Sequence, residues 1–425
     1  MLRTIFLPLL FAVAVTATAG FAEVENWPGW RGPRGDGTSL EKNVPLRWEG
    51  QSMTNVAWRT PVPGRSHSSP IVWDDKVLLS TCLEDEEERA LVCFDRRTGN
   101  LLWQRTVIKA PLERLHRLNS YASGTPATDG RLVYVAYLEP DFANVREVTP
   151  GSIVVAAYHL DGRREWLVRP GRFSSVHGFC TSPVLFEDLV IINGDHDGDS
   201  FIFGLDKRTG ETVWQTPREH KTRSYCTPII REIDGRTQMV FSGSKCVVSL
   251  DPRDGSQHWI IGGPTEQFVA SLVYNGKYFF LTAGFPEHHI LAIRPNGRGD
   301  VTDTHIVWRT TRGCSYVPSP IVEGDYFLVA SDNGIVSCFE VDTGHRHWMV
   351  RMAPHYSSSA VSAEGLVYFT DDNGTTKVIR PGPDWELVAE NELGENCYSS
   401  PAISQGQIFV RGEQHLYCIG GEERE

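Results

Sequence analysis

The chain has 425 residues and a formal net charge of −12, with 40% hydrophobic and 10% aromatic residues, 39 glycines and 25 prolines. An acidic balance argues against nucleic-acid and anionic-membrane partners, which recruit basic patches. The apolar content suffices for a sizeable core, and the abundance of glycine and proline suits short strands and turns rather than long helices.

The chain begins MLRTIFLPLLFAVAVTATAGFAE: one arginine, an apolar run from Ile5 to Val15, then small residues. That order of charge, apolar core and small-residue exit predicts a secretory signal peptide over 1–22, with cleavage after Ala19 or Ala22. The run is too short for a membrane span, and no later segment is long enough to be one. With no cysteine near the cleavage zone, no lipid anchor is expected there. The expectation is an exported, periplasmic or secreted, monomeric chain.

Residues 23–54 form a leader containing WPGWRGPRGDG. From there to residue 421 the sequence repeats itself. FDRRTGNLLW returns as LDKRTGETVW, LDPRDGSQHW and FEVDTGHRHW, with an acid eight positions before a tryptophan and a glycine four after the acid. Degenerate copies bring the terminal segments to eight; tryptophans 58, 103, 166, 214, 259, 308 and 348 end seven of them. A second marker opens each unit, as in SHSSPIV, SGTPATD and CTSPVLF, and puts Pro70, Pro126, Pro183, Pro228, Ser271, Pro320, Ala360 and Pro401 in register. Alternating apolar runs such as KVLLSTC, RALVCFD and SFIFGLD fill the space between markers. Each unit is therefore a four-stranded antiparallel meander, and eight such units predict an all-β, eight-bladed propeller.

The marker order also predicts how the ring closes. A terminal-type strand around Trp58 precedes the first opening marker, and the last unit, ending HLYCIGG, lacks one. The N-terminal strand must complete the eighth blade and so remove two exposed sheet edges. In each corner the acid and threonine bond the turn amides, the glycine takes positive φ, and Trp58, Trp103, Trp166, Trp214, Trp259, Trp308 and Trp348 dock between blades.

The nine cysteines permit disulfides and leave one over. Cys82 and Cys93 flank an acidic loop and are candidates for a bridge across a hairpin, where facing Cα atoms lie roughly 4.5–5.5 Å apart. The competing reading makes Cys93, Cys338 and Cys418 small buried core residues, because Ala292, Gly204 and Ser249 fill the same repeat position.

Acid-x-x-Thr-Gly-x-x-x-Trp resembles the tryptophan-docking repeat of the pyrroloquinoline quinone (PQQ) propellers. That superfamily includes the quinoprotein alcohol dehydrogenases and the outer-membrane assembly lipoprotein BamB. The resemblance spans about residues 55–420, and the leader resembles the segment that precedes the propeller in secreted bacterial members. Dehydrogenases of this family clamp the quinone between a tryptophan and a ring of two adjacent disulfide-bonded cysteines, with Ca²⁺ held by Glu, Asn and Asp. This sequence contains no Cys-Cys pair. No catalytic residue carries over, and PQQ and calcium are left without a supporting motif. The resemblance therefore implies a non-catalytic binding or scaffold module, the alternative being a PQQ-dependent oxidoreductase.

Asp195, Asp197 and Asp199 alternate as calcium ligands do on a loop, but Ser200 takes the place of the turn glycine. They suit a polar hairpin tip better, and no metal site is assigned. His67, His177 and His355 precede opening strands at offsets of three, six and five residues, a poor match to a shared metal. The same positions carry Tyr121, Phe179, Tyr225, Tyr316, Tyr356 and Tyr398, with Arg65, Asn119, Arg223 and Asn396 among them. Arg65, His67, Tyr121, His177, Arg223, Tyr225, Tyr316, His355, Tyr356 and Tyr398 are thus the expected ligand-binding residues at a channel mouth. A protein or a saccharide-like ligand is the expected occupant.

Overall fold

The computed structural model describes residues 25–143 and 146–421; the signal-peptide reading of 1–22 lies outside the described residues. Among the described residues eight sheets follow one another around a ring, each built on a four-stranded antiparallel blade, and two of them carry one added parallel strand. Blades 1 to 7 occupy 71–109, 127–173, 184–217, 229–262, 273–310, 321–351 and 361–392. Blade 8 takes its inner three strands from 402–419 and its outermost from Val56–Pro61, which pairs with His415–Ile419 and sets Trp58 opposite Cys418. The predicted closure is the observed one.

Proline marks the inner strands because these are sheet edges, where a missing N–H costs no ladder bond. The residue before it has an amide facing the next blade, and that amide needs an acceptor. A neighbouring hydroxyl supplies it. Ser69 N donates to Thr125 Oγ1 at 3.0 Å, Thr125 N to Ser182 Oγ at 3.0 Å and Thr227 N to Ser271 Oγ at 2.9 Å. The chain of bonds continues from Ser271 to Ser319, Ser359 and Ser400 and back to Ser69 at 2.9–3.0 Å. Seven bonds of about 1 kcal/mol each thus run around the channel, and among the described residues the belt is open only between Ser182 and Thr227. They also correct the register of the fifth unit: Ser271 is the hydroxyl of this belt, so Leu272 takes the proline position.

At the outer edge, six of the repeat tryptophans donate their indole N–H to a corner carbonyl of the next blade. Trp58 reaches Arg96 O at 2.8 Å, Trp103 Leu160 O at 3.0 Å and Trp308 Val341 O at 2.8 Å. Trp166, Trp214 and Trp348 do the same at 2.9–3.1 Å. Trp259 instead bonds Gln238 Oε1 on its own sheet, because the insertion beside it adds Gly299–Asp300 as a fifth strand. The corner glycine has two reasons to be there. Gly99 has φ 72°, and a Cβ on it would lie 2.6 Å from the Trp58 ring. Directly across the ladder from the tryptophan stands a small residue, such as Cys93 facing Trp103 or Cys338 facing Trp348.

Ala389 fills the tryptophan position of blade 7. Blade 8 has no covalent turn between its third and fourth strands, so there is no such corner to dock on. The leader covers this place: Trp48 is buried in the same apolar cluster as Ala389, and its amide bonds Asn391 Oδ1 at 2.9 Å.

The rest of the leader crosses the channel at the end where first and second strands turn. Trp27 bridges Val72 of blade 1, Pro28 O accepts Thr128 N of blade 2 at 2.7 Å, and Asp36 pairs with Arg231 of blade 4 at 2.9 Å. Thr38–Ser39 then adds in parallel to Val361–Ala363 of blade 7. The sequence marked this segment only as a preamble; folded, it closes one end of the ring.

The disulfide expectation fails. Cys82 lies opposite Arg89 and Cys93 opposite Leu78, a register that keeps the two apart, and both thiols are free and buried. The reading of Cys93, Cys338 and Cys418 as small core residues is the one the structure supports. Among the described residues no helix is long and apolar enough to cross a membrane.

Candidate functional site

The connections that lead from each outer strand to the next inner strand gather at the open end of the channel. They surround a cavity of about 530 Å³, within the range of small-molecule and peptide side-chain sites. Of the ten residues expected at the mouth, His67, His177, Arg223, Tyr225, Tyr316, His355 and Tyr398 line it. Arg65 turns outward, with Glu413 at 3.8 Å. Tyr121 packs beneath the Arg89 guanidinium, 5.7 Å from its ring centre, and Tyr356 is buried against Phe369. Phe179 is likewise core, edge-on to Phe173. Trp30, His116, Gln267, Phe285 and Asp332 also line the cavity and carry no repeat signature. Trp30 belongs to the leader and bounds the closed end.

The walls are aromatic. His67 lies 4.7 Å from Tyr398 between ring centres, His177 5.9 Å from Tyr225 and 5.4 Å from His116. Tyr225 shares a 2.5 Å hydrogen bond with Ser175, and Tyr316 donates to Gln267 Oε1 at 3.2 Å. Burial pushes the His67 imidazole down to about 4, reinforced by Arg65 and Arg411, and the His177 imidazole to about 4, reinforced by Arg223. Both rings are therefore neutral near pH 7. Burial raises the Tyr316 hydroxyl to about 12 and Tyr225 well above its ordinary value, so the tyrosines also stay neutral.

The polar groups are mostly occupied. Arg223 pairs with Asp197 at 2.6 Å, and His355 Nδ1 shares a 2.6 Å hydrogen bond with Asp372 Oδ2. Asp332 accepts the amides of Tyr316 and Val317 at 2.8 and 3.0 Å. The three alternating carboxylates of the blade 3 hairpin diverge: Asp195 is fully buried on Arg218 at 3.0 Å, while Asp199 reaches Lys221 at 2.5 Å. The three histidines likewise face different partners. Among the described residues no group of three histidines, cysteines or carboxylates is placed to hold a metal ion. The Ca²⁺-and-quinone pattern of the dehydrogenases asks for converging carboxylates and a vicinal cysteine pair, and the lining offers Asp332 and a lone Cys180. These residues do not fit that group.

Comparison with known proteins agrees with this geometry. Two curated relatives are both outer membrane protein assembly factors BamB. The Burkholderia pseudomallei protein is 28% identical over 117 residues, 26% of this chain and 29% of its own. The one from Shewanella oneidensis is 25% identical over 125 residues, 28% of this chain and 31% of its own. The matched stretch thus spans under a third of either relative. Among solved structures, BamB from Moraxella catarrhalis superposes with a TM-score of 0.59 at 12% identity, over 86% of this chain and 99% of that one. A europium-containing methanol dehydrogenase gives 0.55 at 10% identity, over 92% and 91%. Identities this low speak for the fold alone. The family model described as outer membrane protein assembly factor BamB matches residues 51–167 and 87–350, and the chain belongs to this family of PQQ-like repeat propellers.

Proposed function

We propose that the chain is an exported, non-catalytic binding module that holds a partner polypeptide at the open mouth of its channel. The observation that carries this reading is the blind funnel: aromatic walls and hydroxyls surround a cavity open at one end and crossed by the leader at the other. Aromatic side chains with a polar tip anchor protein contacts at low entropic cost. Family membership supports the reading, since the BamB relatives are named as assembly factors for outer membrane proteins. The reading assigns the cavity no cofactor, because its carboxylates are already engaged by amides and cations.

A photo-crosslinking residue in place of Tyr398 tests it, with the same residue in place of Lys277 as control. Lys277 sits in the first turn of blade 5, at the opposite end of the channel. Irradiation in the cell of origin should give one discrete adduct from position 398 and none from 277. No adduct from 398, or equal adducts from both positions, would overturn the reading.

A further inference from the structure

We propose that the mouth of the funnel seats an organic cation, an alkylammonium of the lysine type, whose charge meets Asp332 and whose stem lies on the rings of Tyr316 and Phe285. The inference rests on the binding site proposed above and names the chemistry of the group that enters it.

The balance of charge around the cavity is the first observation. Among the described residues Arg223 is the one arginine or lysine in the lining, and Asp332 the one carboxylate. Asp197 meets Arg223 at 2.6 Å, so the two present a dipole rather than a net positive charge to an incoming group. Asp332 has no such partner. It accepts the amides of Tyr316 and Val317 at 2.8 and 3.0 Å, and among the described residues it forms no ion pair. Amides satisfy lone pairs without bringing a charge, and each carboxylate oxygen keeps a second acceptor site. Asp332 is only partly buried, so those sites are within reach. The rings of His67 and His177 are neutral, and whichever of His355 and Asp372 holds their shared proton, that pair carries no net positive charge.

The negative charge is gathered on one side. Blades 6 and 7 carry the same hairpin tip at the mouth, SDNG over 331–334 and DDNG over 371–374. The second residue of each tip holds the strand connection beside it: Asp332 as above, and Asp372 through the Ser357 amide at 2.7 Å. The corresponding tip of blade 8 supplies Glu413, which Arg65 approaches only to 3.8 Å. Across the mouth, on blades 3 and 4, every such carboxylate is matched: Asp195 by Arg218, Asp197 by Arg223 and Asp199 by Lys221.

Aromatic surface beside Asp332 is the independent observation. Tyr316, whose amide Asp332 holds, lies 6.5 Å from Phe285 between ring centres, and Phe285 is 50% exposed. The Tyr316 hydroxyl, raised chiefly by burial, is drawn down by Arg223 and pushed up by Asp332, so both charges act on this ring. A cation near a ring face is attracted by the ring quadrupole. A methylene stem covers apolar surface while its charged head stays with polar groups. One carboxylate among several rings suits such a group, whereas a hard metal ion asks for several oxygen ligands. The lysine side chain of a polypeptide and a free small amine share this chemistry.

Calorimetric titration of the whole protein near neutral pH tests the seat with acetyl-Ala-Lys-Ala-amide, its Nε-acetyl-lysine form and its glutamate counterpart, and with n-butylammonium against 1-butanol. The lysine peptide should bind about tenfold or more tighter than the acetylated one, and the glutamate peptide, which would select Arg223, should bind no better than the acetylated one. Asp332→Asn should bring the lysine preference near one. Asp199→Asn, which removes an exposed carboxylate from the far side of the mouth, should change it by less than about twofold. An acetylated or glutamate peptide that binds as well as the lysine peptide, cations that give no binding, or an Asp332→Asn protein that keeps the preference would each overturn the proposal. So would an equal loss in Asp199→Asn, which marks a general effect of net charge. Should Asp332→Asn fold poorly, the ε-methylene proton resonances of the lysine peptide on the unaltered protein decide. An upfield shift on binding places the stem over aromatic rings and supports the seat, and unshifted resonances refute it. A lysine peptide tighter than butylammonium assigns the seat to a polypeptide side chain; butylammonium as tight or tighter assigns it to small amines. Butylammonium binding without a crosslink at position 398 removes only the polypeptide reading, and a crosslink without the lysine preference removes only the seat.

Discussion

His67 and His177 show how a folded environment changes what a residue can do. Sequence position put both at the channel mouth, where an ordinary imidazole titrates in the physiological range. Burial among aromatic rings, with Arg65 and Arg223 alongside, holds both near 4. Because the folded pKa lies below the unfolded one, the unfolded chain takes up more protons between these values, and stability falls as pH drops from about 6.5 toward 4. Thermal midpoints measured across that window should decline and then level, and His67→Asn should flatten the curve. No change with pH would show that these rings are hydrated. The place of these two rings at the mouth was readable from the repeat; their neutrality was not, because it depends on which blades' side chains meet across the axis. Tyr356 makes the same point: it shares its sequence offset with the lining Tyr316 yet turns into the core.

At the scale of the blade, the tryptophan corner is a self-contained device. Acid and threonine hold the turn, as where Asp95 accepts the amides of Arg97 and Thr98 at 3.0 and 2.8 Å, and glycine clears the surface on which the preceding blade's indole lies. All of these parts were legible because they recur at fixed spacing. Trp308 lies among Phe280, Phe327 and Phe339, with ring centres 6.0–6.4 Å away. Trp308→Ala removes this packing together with the hydrogen bond to Val341, and should cost roughly 3–5 kcal/mol in denaturant unfolding. A loss under about 1 kcal/mol would mean that the wedge is filled by its neighbours. The exceptions could not be read locally. Ala389 has no tryptophan to replace it because its neighbour has no corner, and Trp48 has no repeat context to announce it.

For the whole molecule, closure by Val56–Pro61 makes the ring cooperative. Without this strand, blade 8 would keep three strands and present a bare edge to solvent, and Trp58 would leave the corner of blade 1 uncovered. A chain beginning at residue 63 should therefore aggregate or unfold at ambient temperature, whereas the same chain with 55–62 appended after Gly421 should fold. Light scattering and circular dichroism on the two separate these outcomes; a stable monomer from the truncated chain would contradict the closure. The leader adds a second tie, running under the ring from blade 1 to blade 7.

The sequence by itself determined the fold class, the number of blades and the strand that closes them. Those depend on local rules, strand alternation and corner chemistry, that repeat often enough to rise above single-residue ambiguity. Only the tertiary structure decided that the leader closes the channel, that the serines before the prolines form a belt of hydrogen bonds, and that Cys82 and Cys93 never face one another. The first two arise between residues far apart in the chain, brought together by the curvature of the ring, and the third from the register of a single hairpin. Spacing along a sequence carries no record of such a meeting.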